Sequence, residues 1–165
     1  MLEEALELAI ATARETGELL RSRWWARRTI HHKGVHDVVT DADLAAQSLI
    51  AERLQARFPD HAIWAEEGEA ATVGAGAEYT WIVDPLDGTT NYSRRHPTFG
   101  VSIALAREGQ VLLGVVYEPL RDFLFHGLRG RGAFVNDRPL RVSPVADWSR
   151  ALVACDWARE ERGRA

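Results

Sequence analysis

The hydrophobic repeat of this chain changes once, near His61, and that change limits the folds open to it. Ahead of His61, apolar residues recur at three- and four-residue steps, the spacing that gathers side chains on one face of a helix. Leu2, Leu6, Ala9, Ile10, Ala13, Leu20 and Trp24 follow this rule with Glu and Arg between them, so the opening reads as an amphipathic helix packed on a core. Thr40 begins a second helix: its hydroxyl can cap the first-turn amides, and Asp43 three residues on completes a capping-box spacing. Leu44, Ser48, Leu49, Leu54 and Phe58 continue that helix until Pro59-Asp60 stops it.

After His61 the runs are short and rich in β-branched and aromatic residues. Two strands are expected over 61–66 and 79–84, separated by a small-residue loop over 70–76. Others are expected near 98–107, 110–117, 122–126, 133–135 and 139–142, with turns at Glu108-Gly109, Glu118-Pro119, Arg129-Gly130 and Asn136-Asp137. Helices first and an antiparallel meander afterwards argue an α+β fold, one domain over 1–165.

Composition excludes several functions. The formal net charge of −4 and scattered basic residues give no field for nucleic acid. One cysteine, Cys155, rules out an internal disulfide framework and a Cys-rich metal site. The first twenty residues carry acids where a secretion signal carries bases, and no run reaches membrane-spanning length, so a soluble, cytoplasmic protein without membrane partners is expected.

Chemistry concentrates in Trp81-Ile82-Val83-Asp84-Pro85-Leu86-Asp87-Gly88-Thr89-Thr90-Asn91. An apolar strand delivers Asp84 where it leaves the sheet, Pro85 stiffens the turn, and Asp87 can face the same point. Gly88 permits close backbone approach, and Thr89, Thr90 and Asn91 offer amides and hydroxyls where a short helix can begin, a seat for phosphate. Two converging carboxylates repel unless a cation lies between them, and an all-oxygen donor set favours Mg²⁺ over Zn²⁺. The Leu86 carbonyl is a further donor, and Glu66-Glu67 supply a third acid from the preceding strand end. An Asp-x-x-Asp spacing alone more often marks a turn or cap; the whole string and the upstream acids point to metal-assisted phosphate chemistry.

The string Asp84 to Asn91 resembles the signature of inositol monophosphatases and their relatives. Lys33-Gly34-Val35-His36-Asp37-Val38-Val39-Thr40-Asp41-Ala42-Asp43 resembles the same family's approach to its second helix. Trp64-Ala65-Glu66-Glu67 is similar to its Gly-Glu-Glu motif with Ala65 in place of Gly. Gly114-Val115-Val116-Tyr117-Glu118-Pro119 and Gly130-Arg131-Gly132-Ala133-Phe134 match in order and spacing. The resemblance implies a layered α/β sandwich of the sugar-phosphatase type, with N-terminal helices on a large, mainly antiparallel sheet.

It also implies roles. Glu66, Asp84 and the Leu86 carbonyl would hold the Mg²⁺ that activates water, and Asp84 would bridge to a second metal shared with Asp87. Thr89 with Glu66 would orient the attacking water, and Asp43 would join the hydroxyl network around Thr89. The amides of Gly88 and Thr89 would bind phosphate, with Asp87 and Thr90 bordering a small phosphorylated substrate. Hydrolysis would be direct and in line, without a phosphoenzyme, and lithium-sensitive. Relatives acting on bisphosphate nucleotides or histidinol phosphate tend to carry Lys at the Thr90 position, and fructose bisphosphatases Ser, so Thr90 favours an inositol monophosphate.

The family's later Trp-Asp-x-Ala-Ala-Gly-like motif, with a further metal-binding aspartate, has no match here. Cys155-Asp156-Trp157-Ala158 has the Asp and Trp reversed, and Asp156 is not assigned as a ligand. A missing C-terminal α/β part would leave a sheet face bare and activity weak, making a non-catalytic remnant that binds metal or a partner the alternative. Family members are commonly homodimers. Arg94-Arg95-His96-Pro97 falls on a site-edge loop; His31, His32, His36, His61 and His126 read as surface or capping groups, and Trp64, Trp81, Trp148 and Trp157 as core.

Overall fold

The computed structural model describes residues 1–26, 30–32, 38–66 and 76–154. Helix α1 (Leu2–Ser22) turns a row of small residues inward: Ala5, Ala9, Ala13 and Gly17 are buried at four-residue steps. Leu2, Leu6 and Ile10 pack only at the margin of the core. Small residues let the helix axis approach the sheet closely. A Cβ at Gly17 would lie 2.4 Å from Tyr117 Cε1 and 3.1 Å from Pro119 Cβ.

A hairpin of β1 (Ile30–His32) and β2 (Val38–Thr40) leads into α2 (Asp41–Arg57), capped by Thr40 with both halves of the expected capping box formed. The buried face of α2 differs from the one expected. Ala42, Asp43, Ala46, Ile50 and Leu54 are buried, and Leu44 is exposed. The capping box sets the helix phase: Asp43 is held inward at the first turn, and Ala46, Ile50 and Leu54 follow on the same face. Arg53 crosses to Glu15 with bonds of 2.9 and 2.6 Å, tying α2 to α1 on the solvent side.

Seven strands follow in one sheet of sequential order: β3 (Ala62–Ala65), β4 (Tyr79–Asp87), β5 (Gly100–Arg107), β6 (Gln110–Glu118), β7 (Phe123–Leu128), β8 (Gly132–Val135) and β9 (Arg138–Pro139). Every pair is antiparallel except β3 with β4, which is parallel. A five-residue helix, α3 (Thr89–Ser93), interrupts the meander after β4. The α+β architecture is the one expected.

Strand alternation gives the sheet two unlike faces. Trp81, Val83, Val101, Ile103, Leu105, Leu113, Val115, Tyr117 and Leu124 are buried on the side of α1 and α2. No described helix lies over the opposite face, where Asp84 pairs with Ser102, Ser102 with Val116, and Val116 with Phe125. Trp64, aligned with Ile82 on that side, is therefore 58% exposed rather than core. Trp148 is also exposed, because residues 140–147 leave the sheet without regular structure. The strand expected over 139–142 is β9 over Arg138–Pro139, and the last bond to the sheet is from the Leu140 amide to the Ala133 carbonyl at 2.8 Å.

Two histidines depart from the surface reading. His61 is buried between Phe58 at 4.7 Å and Tyr79 at 5.0 Å, and its burial pushes the imidazole pKa down. His126 stacks on Phe134 at 5.4 Å. The loop expected over 70–76 lies outside the described residues apart from Gly76, as do the 33–37 motif, Glu67, Cys155, Asp156 and Trp157.

Alanine is a better helix former than glycine by about 1 kcal/mol, so an exposed Gly17→Ala change would stabilise α1. Against the Tyr117 ring we expect the opposite sign, a loss of about 1–3 kcal/mol from overpacking, read as a lower denaturation midpoint at unchanged slope.

Candidate active site

The parallel pairing of β3 with β4 brings two strand ends side by side. Ala65 aligns with Val83, so Glu66 and Asp84 are the next residues on each chain. The Glu66 amide donates to the Val83 carbonyl at 3.2 Å, which holds the end of β3 against β4. By alternation, both side chains leave on the face without a described helix.

β4 does not leave the sheet at Asp84 as expected. It continues to Asp87 through a register shift between those two acids. The bulge lets the Leu86 amide donate back to Asp84 Oδ1 at 3.1 Å, fixing that carboxylate on its own turn. Leu86 keeps its side chain buried while its carbonyl oxygen lies within hydrogen-bond reach of the Thr89 hydroxyl at 2.9 Å.

Gly88 then turns the chain with φ of +87°, and a Cβ there would meet the Thr98 carbonyl oxygen at 3.1 Å. Glycine is needed on both counts. Thr89 opens α3, and its hydroxyl also reaches Asp43 Oδ1 at 2.9 Å. Asp43 is 1% exposed, so this bond draws the first turn of α2 to the first turn of α3 inside the molecule.

An aromatic cluster absent from the sequence reading sets the other end of α3. Tyr92 is buried, meets Trp24 and Phe99 edge-on at 5.2 and 4.9 Å, and donates its hydroxyl to the Leu20 carbonyl at 2.8 Å. Trp24 and Phe99 stack at 5.0 Å. Trp24 is far in sequence from Tyr92 and Phe99, and the three share no period, so no local pattern could have found the cluster. Asn91 is a loop clamp, its side-chain amide donating to the Thr98 carbonyl at 2.8 Å. After α3, Arg95 adopts φ of +58° and places its guanidinium over Trp25 at 5.4 Å.

The electrostatics centre on Asp84. Its pKa is pushed up to about 8, first by burial, then by the charge of Glu66 and a hydrogen bond with it, and further by Asp87. The Leu86 amide acts in the opposite sense. A carboxyl raised by two other acids marks a place where positive charge is wanted. The donors there are carboxylate and carbonyl oxygens, with no thiolate or imidazole among the residues named, and they suit a hard divalent cation. Glu66 and Asp84 meet directly. Among the described residues no three acids close into a ready-made metal cluster, and Asp87 is exposed at the strand end.

With this geometry in view, comparisons with known proteins are decisive. The inositol monophosphatase family model matches residues 1–164. The chain belongs to the inositol monophosphatase family. Inositol monophosphatase 2 of Solanum lycopersicum is 44% identical over 158 residues, covering 94% of this chain and 60% of the tomato protein. The structure of the extragenic suppressor protein suhB from Bartonella henselae superposes with a TM-score of 0.83 at 37% identity, over 86% of this chain and 55% of that one. A dual-specific IMPase/NADP phosphatase bound with D-inositol-1-phosphate gives a TM-score of 0.74 at 26% identity, over 84% of this chain and 52% of that one. The chain thus spans between half and two-thirds of the length of these family members. Its helix-on-sheet layers are those of the inositol monophosphatase structures it superposes on.

The raised Asp84 carboxyl has a consequence for the folded protein. A group whose pKa is higher folded than unfolded stabilises the fold below its unfolded value, 3.8, and that contribution is lost as pH rises to about 8. Without divalent cations, the thermal midpoint should therefore fall between pH 6 and pH 8.5. Asp84→Asn should flatten this dependence, and Mg²⁺ should raise the parent's midpoint most at the alkaline end. Differential scanning calorimetry across that range checks all three.

Proposed function

We propose that this chain carries the water-positioning and phosphate-binding part of a Mg²⁺-dependent phosphomonoesterase, with a small phosphate monoester as substrate and an inositol monophosphate first among them. The observation that carries the reading is the pairing at the end of β3 and β4: Glu66 and Asp84 in contact, with Asp84 pushed up to about 8. Beside it, the Thr89 hydroxyl lies 2.9 Å from both Asp43 Oδ1 and the Leu86 carbonyl.

The cation would be held by Glu66, Asp84 and the Leu86 carbonyl, with Asp87 contributing to a second one. When bound, such ions neutralise phosphoryl charge and make water more acidic. The remaining work falls to the chain itself. A Thr89 hydroxyl that donates to Asp43 keeps its lone pairs for the proton of an incoming water, and Glu66 accepts from the same water on its other side. That leaves the water oxygen aimed at phosphorus. The amides of Gly88 and Thr89 face the phosphoryl oxygens, and the left-handed turn at Gly88 leaves no side chain in the way.

Asp87 and Thr90 border the rest of the substrate. The similarity to a dual-specific IMPase/NADP phosphatase supports a substrate range that includes a phosphorylated nucleotide beside inositol 1-phosphate. A phosphatase for histidinol phosphate or a bisphosphate nucleotide has less support, because Thr90 stands where such relatives tend to carry Lys.

Phosphate release from inositol 1-phosphate, and from NADP in parallel, tests the proposal with and without Mg²⁺. Turnover should require the metal, and Asp84→Asn and Thr89→Ala should each lower kcat by about 100-fold or more. A folded protein that releases no phosphate from either substrate at millimolar Mg²⁺ would turn the reading to a non-catalytic, metal- or partner-binding role.

A further inference from the structure

We propose that Thr40 is a positioning residue for the Thr89 hydroxyl, acting through the Asp43 carboxylate that it holds in one orientation. The proposal rests on the phosphatase reading above for its effect on turnover, and on geometry alone for its effect on Asp43.

Both polar groups of Thr40 converge on one oxygen. The Thr40 amide donates to Asp43 Oδ2 at 2.9 Å, and the Thr40 hydroxyl donates to the same oxygen at 2.5 Å. The hydroxyl oxygen also accepts from the Ala42 amide at 3.2 Å, which fixes its rotamer as the cap of α2. Thr40 is 0% exposed and Asp43 1%, so no bulk water can substitute for either bond. With Oδ2 held twice, Oδ1 has one direction left, and it meets the Thr89 hydroxyl at 2.9 Å.

That direction matters because Thr89 has one proton and two acceptors at equal distance, Asp43 Oδ1 and the Leu86 carbonyl. Donation to Asp43 leaves both carbonyl lone pairs open to a cation; donation to the carbonyl occupies one of the two and leaves the buried Asp43 Oδ1 without its donor. A carboxylate that could rotate would leave this choice to chance. Thr40 removes the rotation. A capping box ordinarily needs only the amide of its cap residue to meet the acid, so the second bond, from the cap hydroxyl, is the feature that helix capping leaves unexplained.

The test uses Thr40→Val, which keeps the shape and removes the hydroxyl, and Thr40→Ser, which restores it. Thr40→Gly removes the hydroxyl at a cap position that tolerates glycine, in case the valine variant does not fold. Thr40→Val, or Thr40→Gly in its place, should lower kcat by about tenfold with KM for inositol 1-phosphate unchanged, and Thr40→Ser should recover most of the loss. On a Thr89→Ala background the same change should cause no further loss, because its effect passes through Thr89. In a crystal structure of the hydroxyl-free variant, Asp43 Oδ1 should have turned beyond hydrogen-bond distance of Thr89 Oγ1. An unchanged kcat, an additive loss on the Thr89→Ala background, or an Asp43–Thr89 bond still in place would each overturn the proposal. If the parent chain releases no phosphate, the phosphatase reading fails by itself, and the crystal structure still decides whether Thr40 orients Asp43.

Discussion

A buried carboxylate, Asp43, joins the helical and the strand-built parts of this molecule. It accepts from the Thr40 amide and hydroxyl on one oxygen and from the Thr89 hydroxyl on the other, within a setting that excludes water. A buried charge with its hydrogen bonds unmade is costly, so the three donors and the acid hold each other in place. The phase of α2 follows from this, because an inward Asp43 puts Ala46, Ile50 and Leu54 against the sheet. The placement of α3 follows as well, since its first residue is one of the donors.

Around that link, two kinds of packing position the site. The small-residue row of α1 lets the helix lie close on β5 and β6, with Gly17 against Tyr117. The Trp24, Tyr92 and Phe99 rings then anchor α3 to the end of the same helix. The acids stand on the other side of the sheet, at the ends of β3 and β4. Partial burial first, and then the charges of Glu66 and Asp87, raise Asp84, and a divalent cation is the simplest relief for such an arrangement. Stability and function therefore pull in opposite directions at Asp84. The same carboxyl that weakens the metal-free fold as pH rises is the one that suits a cation.

Much of this was legible in the chain itself. The Thr40–Asp43 spacing announced a capping box, and the box formed. The run from Trp81 to Asn91 points to a strand and a short helix carrying two acids and a hydroxyl, and both are present, although the turn falls at Gly88 rather than at Pro85, which stays in the strand. Leu44 misled because a hydrophobic side chain near a helix start looks like core, whereas the inward phase was taken by an acid. Trp64 and Trp148 misled because size suggests burial, while their strand face and their irregular segment decide exposure.

What the sequence determined by itself was local: helix starts, turn chemistry, the α+β order of elements and the residues able to do phosphate chemistry. These depend on spacing and on side-chain type within a few positions. Which residues meet was decided only by the tertiary structure. Parallel pairing placed Glu66 beside Asp84, and burial brought Asp43 to Thr89, 46 residues away. Contacts of that kind depend on how two elements pack, which no single segment encodes, because a strand's neighbour and a helix's depth are settled by the whole core at once.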